Sequence, residues 1–179
     1  ALHPPADLAA LQHERLAWAL AHAYEGSPFF RAKFEQVGLR PADIRSPADL
    51  AQLPFTTKAE LREAYPLGWA AVPAERIVRV HASSGTTGKR TVAYYTAQDL
   101  EDWTALFARC YALAGVGPGD RVQITPGYGL WTAGISFQAG AERVGAMAVP
   151  VGPGNVDLQL ELMVDLQTTV LTATSSFAL

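Results

Sequence analysis

Residues 81–92 read HASSGTTGKRTV, with two serines, two glycines and three threonines gathered around one lysine. Gly85 and Gly88 free the backbone to turn its N–H groups to one side, and Ser84, Thr86 and Thr87 add hydroxyl donors. Lys89 adds a mobile cation, so the set can form an anion-binding concavity suited to phosphate. It holds no general base and no nucleophile. Such a loop can grip and orient a polyphosphate, but the bond-breaking groups must come from elsewhere. The competing reading is a hairpin tip rich in small polar residues, and composition alone leaves both open.

One specific phosphate loop is excluded. The pattern G-x-x-x-x-G-K-[ST] needs a glycine where Ser83 stands and a hydroxyl where Arg90 stands. It also needs a helix after the lysine, whereas TVAYYT is β-branched and aromatic and reads as a strand. A P-loop nucleotidase is therefore not expected.

The elements around the loop follow from periodicity. Residues 1–75 read as a helical segment. Asp7 is expected to cap LAALQHERLAWALAHAY, where Leu16, Leu20 and Tyr24 share one face. Ser27-Pro28 and Ser46-Pro47 each place an N-cap before a proline at the first helical position, and Gly38 is a stop. Phe30, Phe34 and Val37 are expected to line one stripe. Thr57 with Glu60 fits a capping box. Residues 76–179 read as the first α/β part of a domain that continues beyond the chain.

There RIVRVHA and TVAYYT flank the Ser/Thr/Gly loop as a β-hairpin. Thr96 opens a helix whose buried stripe is expected to be Leu100, Trp103, Phe107, Cys110 and Ala114, which makes Cys110 a packing residue. RVQIT, the helix GLWTAGISFQAGAERV, AMAVPV, the Asn155-capped helix VDLQLELMVDLQ and TVLTAT then form two strand-helix-strand units. These imply parallel strands, so the fold class is α/β. Ligands in such sheets sit beyond the carboxyl ends of the strands, which directs attention to the loops after Thr125, Val151 and Thr174.

Composition removes other classes of function. The 179 residues are 49% apolar, enough for a substantial core, and the net charge of −3 comes without a basic cluster beyond Lys89-Arg90. No nucleic-acid footprint and no membrane-surface patch is read from that. A single cysteine forms no intrachain disulfide, and a cytoplasmic location is expected. His3, His13 and His22 lack a paired carboxylate or a second ligand at metal spacing. For these, and for His81, structural roles are expected over catalytic or metal ones.

The segments AYEGSPFFRAKFEQVGL, DIRSPADLAQLPFTTKAELREAYPLG, IVRVHASSGTTGK, GYGLWTAG, GAERVGA and TATSSFAL occur in this order. In sequence and spacing the chain resembles the phenylacetate-coenzyme A ligases, a branch of the adenylate-forming enzymes. The resemblance implies a two-step reaction. A carboxylate attacks the α-phosphate of ATP, releasing pyrophosphate, and the thiol of coenzyme A then displaces AMP; Mg2+ accompanies the nucleotide.

It implies that Ser84, Gly85, Thr86, Thr87, Gly88 and Lys89 close over the β- and γ-phosphates. It implies that Tyr128, Gly129, Leu130, Trp131 and Gly134 line the pocket of an aromatic carboxylic acid, although the same residues also read as core packing at a helix start. The family's adenine, ribose and metal segments and its catalytic lysine lie beyond residue 179, so no catalytic residue is expected within the chain. A homodimer of the full-length protein is compatible with the resemblance. Two other readings stand beside it: an adenylate-forming relative with another acid or acceptor, and a binding module without catalysis. Arg90 replaces the family's usual proline. Pro126 and Trp131 exchange aromatic bulk near the proposed pocket, and Thr174 to Phe177 depart from Thr-Pro-Ser-Tyr.

Overall fold

The computed structural model describes residues 5–83 and 89–178, the side chains of residues 5 and 6 excepted. The chain forms two compact units. The first runs to Ile77 and takes in the segment ending at Tyr94; the second takes Val78–Ser83 and the chain from Tyr95 onward.

The first unit holds α1 (Pro5–Gly26), α2 (Pro28–Gln36) and α3 (Lys58–Glu63), with short 3-10 turns between and after them. α1 starts two residues before the expected cap, leaving Asp7 inside the first turn. Pro5 accounts for the difference, because its missing N–H costs nothing at a helix start. Leu20, Phe34 and Ile44 form the core, with Leu16, Tyr24, Leu39 and Leu53 against it, so the expected α1 face is the one buried. Val37 ends α2 and stays exposed, outside that stripe.

Ser27 caps α2 by accepting the Phe30 N–H at 3.5 Å, and its buried hydroxyl donates to the Trp69 carbonyl at 3.2 Å. The Ser46-Pro47 device opens a 3-10 helix, Pro47–Gln52. The capping box at α3 is complete: Thr57 Oγ1 accepts from the Glu60 N–H at 3.3 Å, and Glu60 Oε2 accepts from the Thr57 N–H at 2.6 Å. Lys33 Nζ reaches the other Glu60 oxygen at 2.6 Å and the Phe55 carbonyl at 2.7 Å, fastening α2 to α3.

Strands β1 (Ile77–Ala82) and β2 (Val92–Thr96) form a two-stranded sheet. Thr96 and Asp99 then cap α4 (Ala97–Leu113) reciprocally, at 3.2 and 2.7 Å. Strands β3 (Arg121–Ile124), β4 (Met147–Val149) and β5 (Val170–Thr172) form a parallel sheet in the order β4-β3-β5. Helix α5 (Ala133–Arg143) connects β3 to β4, and α6 (Val156–Asp165) connects β4 to β5.

The first connection steps from β3 to β4 and the second returns from β4 past β3 to β5, so the two run in opposite directions across the sheet and right-handed crossovers place α5 and α6 on opposite faces. The alternation of β3 agrees. Val122 and Ile124 pack with Tyr111, Val116, Ala141 and Ala146 on the α5 face, while Gln123 turns to α6.

One expectation fails on α4. Its inward line is Leu100, Trp103, Phe107 and Tyr111, and Cys110 is exposed. The true helical period of 3.6 carries the stripe past position 110 to Tyr111. Close approach of α4 to α5 rests on Gly140, where an added Cβ would lie 2.6 Å from Phe107 Cβ. No described helix is long and apolar enough to cross a membrane.

Candidate functional site

The loops after β3, β4 and β5 converge on a cavity of about 410 Å³ at the carboxyl edge of the parallel sheet. Thr125, Pro126 and Gly127 come from the first loop, Trp131 and Ala133 from the approach to α5, Pro153 from the second loop, and Thr174 and Phe177 from the third. Carboxyl-end placement follows from topology, since parallel strands present all their carboxyl ends at one edge. The volume lies within the range of small-molecule sites.

The turn from Pro126 to Thr132 is longer than the sequence predicts: α5 begins at Ala133 and not at Gly129. Gly129 adopts φ +80°, a left-handed conformation that ends any helical reading there. The turn closes on itself, with the Gly134 N–H donating to the Gly127 carbonyl at 3.0 Å. An added Cβ at Gly134 would lie 2.7 Å from Tyr128 Cδ2, 2.8 Å from the Gly127 carbonyl oxygen and 2.9 Å from that of Pro126. Gly134 is therefore a glycine so that the turn can pack on the start of α5. At its far end, the Leu130 carbonyl accepts the Ala82 N–H at 3.1 Å and His81 Nδ1 at 3.3 Å. A carbonyl oxygen only accepts, so Nδ1 carries the proton in that bond.

Of the five residues expected around an acid pocket, the cavity brings in Trp131, a residue 55% exposed. Leu130 is also largely exposed and does not line it. Tyr128 is half-buried and packs on the core beneath β3. Its hydroxyl is enclosed and has no hydrogen-bond partner among the described residues. Burial, with a smaller contribution from Glu142, raises its pKa above the usual phenol value. Gly129 and Gly134 shape the turn and do not line the cavity. Of the expected phosphate loop, Lys89 is described, as an exposed residue at a bend. Ser84, Gly85, Thr86, Thr87 and Gly88 lie outside the described residues.

Two residues that sequence reasoning passed over are buried beside this edge. Gln123 on β3 and Gln159 on α6 face each other, and Gln159 also reaches the loop after β4 through the Gly152 carbonyl at 2.7 Å. The available signal was a glutamine between Val122 and Ile124 in a strand buried on both faces. His81, for which a structural role is expected from the sequence, is 3% exposed and edge-on to Tyr95 and Trp103 at ring distances of 5.4 and 5.6 Å.

No family model matches the chain. It is 46% identical over 173 residues to the phenylacetate-coenzyme A ligase of Aromatoleum evansii, which covers 97% of the chain and 39% of that protein. It is 45% identical over 173 residues to the enzyme of the same name from Escherichia coli K12, covering 97% of the chain and 40% of that protein. Against the Thermus thermophilus enzyme the identity is 44% over 175 residues.

A solved structure of 2-hydroxyisobutyryl-CoA ligase in complex with 2-HIB-AMP and CoA superposes with a TM-score of 0.90 at 30% identity. That match covers 98% of the chain and 39% of the solved one. The chain thus spans about two fifths of the length of each relative. Over nearly its whole length, then, the chain is collinear with the N-terminal portion of the phenylacetate-coenzyme A ligases and shares its fold with a solved CoA ligase.

Proposed function

We propose that this chain is the N-terminal part of an ATP-dependent ligase that activates an aromatic carboxylic acid, phenylacetate or a close relative, as an acyl-adenylate and transfers it to coenzyme A. The observation that carries the reading is 44 to 46% identity, over nearly the whole chain, to proteins named for that reaction. The solved neighbour bound to an adenylate and CoA supports a two-step course. On this reading, residues 1–75 form a helical segment and residues 76–179 open the adenylate-forming domain.

Ser84, Gly85, Thr86, Thr87, Gly88 and Lys89 hold the β- and γ-phosphates of ATP, and Trp131 forms one wall of the acid site. Tyr128, Gly129, Leu130 and Gly134 belong to the turn that carries Trp131. Donors aimed at the pyrophosphate oxygens strengthen as charge grows on the leaving group, so they lower the barrier more than they tighten the ground state. Mg2+ accompanies the nucleotide on this reading. The described residues contain no group of His, Cys, Asp and Glu arranged to hold it.

The test is acid-dependent exchange of labelled pyrophosphate into ATP in the full-length enzyme, with Lys89→Ala and Thr87→Ala alongside the native protein. Both variants are expected to slow exchange by about 10- to 100-fold with little change in carboxylate affinity. Unaltered exchange in both would remove the phosphate role from the loop. Absence of exchange with every aromatic acid in the native enzyme would overturn the ligase reading itself.

A further inference from the structure

The loop between β4 and α6 forms one wall of the cavity through Pro153, yet its own backbone is permissive. Gly152, Gly154 and Asn155 have φ of +80°, +81° and +46°. Two glycines in four residues leave many conformations accessible, so something outside the loop must select one. Part of the restraint is the Gly152 N–H, which donates to the Ile124 carbonyl at 2.9 Å. The rest is Gln159, whose Nε2 donates to the Gly152 carbonyl at 2.7 Å and to that of Gly154 at 3.4 Å.

The orientation of both glutamine amides is dictated by their partners. Backbone carbonyls only accept, so Gln159 must turn its NH2 to the loop and its Oε1 to Gln123. Gln123 then presents its NH2, donating to Gln159 Oε1 and, at 3.0 Å, to the Gln159 backbone carbonyl. Its remaining oxygen accepts the Thr168 hydroxyl at 2.9 Å. Both side chains are almost fully buried, and among the described residues each amide group has a partner. Leaving any one unmet would cost the desolvation of a buried amide.

We infer that Gln159, braced by Gln123 and Thr168, is a positioning residue that sets the Pro153 wall of the cavity and thereby the choice of carboxylic acid. The inference rests on the ligase reading above. The same loop closes on the predicted pocket residues, since an added Cβ at Gly152 would sit 3.7 Å from Tyr128 Cδ2. A shift of the loop therefore alters both the wall and the packing of the turn that carries Trp131.

The experiment uses the full-length ligase. Gln159→Met keeps length and volume but removes both donors; Thr168→Val removes one bracing hydroxyl in an isosteric change. KM for phenylacetate and for larger and smaller aryl acids, KM for ATP and kcat are measured in each. Gln159→Met is expected to raise KM for the preferred acid about fivefold and to narrow its preference over the other acids, with KM for ATP unchanged. Thr168→Val should show the same pattern at about twofold, and it decides the matter if Gln159→Met does not fold. Unchanged acid KM and preference, or an equal rise in KM for ATP, would overturn the inference while leaving the ligase reading intact. A native enzyme that activates no aromatic acid would overturn both.

Discussion

Gly140→Ala sets two physical effects of opposite sign against each other at one position. Gly140 lies inside α5, where alanine is favoured over glycine by about 1 kcal/mol. Helix propensity alone therefore predicts a more stable protein. Against this, the new methyl would meet Phe107 Cβ at 2.6 Å, the Phe107 carbonyl carbon at 3.0 Å and the Ala108 nitrogen at 3.2 Å. Favourable carbon contacts lie near 3.5–4.0 Å, so α4 and α5 would have to separate by about 1 Å where Val122 and Ile124 depend on them. Overpacking of this kind costs about 1–3 kcal/mol.

A contact of 2.6 Å against atoms fixed to the backbone puts the cost in the upper half of that range, so the balance is a net loss of about 1–2 kcal/mol, which for a chain of this size lowers Tm by about 2 to 8 °C. Thermal and urea unfolding of the native and variant proteins measure it. A useful control is Phe107→Leu in the Gly140→Ala background. Leucine retains Cβ and backbone, the atoms that clash, so no recovery is expected beyond the separate cost of trimming Phe107. A Tm equal to or above the native value would refute the close-packing account.

Glu60 is held down to about 2, chiefly by its bond to Lys33 and then by those to Thr57. A lowered folded-state pKa contributes stability that is present above the ordinary value near 4.5 and is lost as pH falls towards 2. Glu60→Gln should therefore flatten acid unfolding curves in that window, and curves of native steepness would count against the Lys33 and Thr57 contacts. Asn155→Ala removes the side chain that caps α6 from a residue at φ +46°, so a loss of about 1–2 kcal/mol is expected. Asn155→Gly keeps the conformation and should lose less, and urea midpoints compare the two. Trp131→Ala should change which aromatic acids the full-length enzyme activates, read from pyrophosphate exchange across a panel of acids; an unaltered profile would return Trp131 to a structural role.

Much of this molecule is written locally. The capping boxes at Thr57 and Thr96, the cap at Asn155 and the alternation that makes β3 a strand are each decided within a few residues, and each is present in the structure. What local pattern missed depends on phase or on distance. Cys110 sits one position off the inward line of α4 because a stripe read at intervals of three and four drifts over four turns. α5 starts late because Gly129 takes a left-handed conformation that the run GLWTAG does not announce. The cavity was foreshadowed as a set of loops by the parallel topology, whereas its membership was not. Phe177 and Pro153 join Trp131 there, and Tyr128 turns to the core. Gln123 and Gln159 are 36 residues apart, and neither neighbourhood alone reveals that they share two hydrogen bonds.

That pairing also labels the middle strand of the sheet chemically. β3 has four residues, and successive side chains point to opposite faces, so a slip of one position against β4 and β5 would exchange the faces entirely. Gln123 would then be driven among Tyr111, Val116 and Ala141, while Val122 or Ile124 met the amide of Gln159. An all-apolar strand of the same length would tolerate that exchange with little penalty. With a glutamine at its centre, the misaligned sheet strands two buried amides at once, and the strand can settle in a single alignment only.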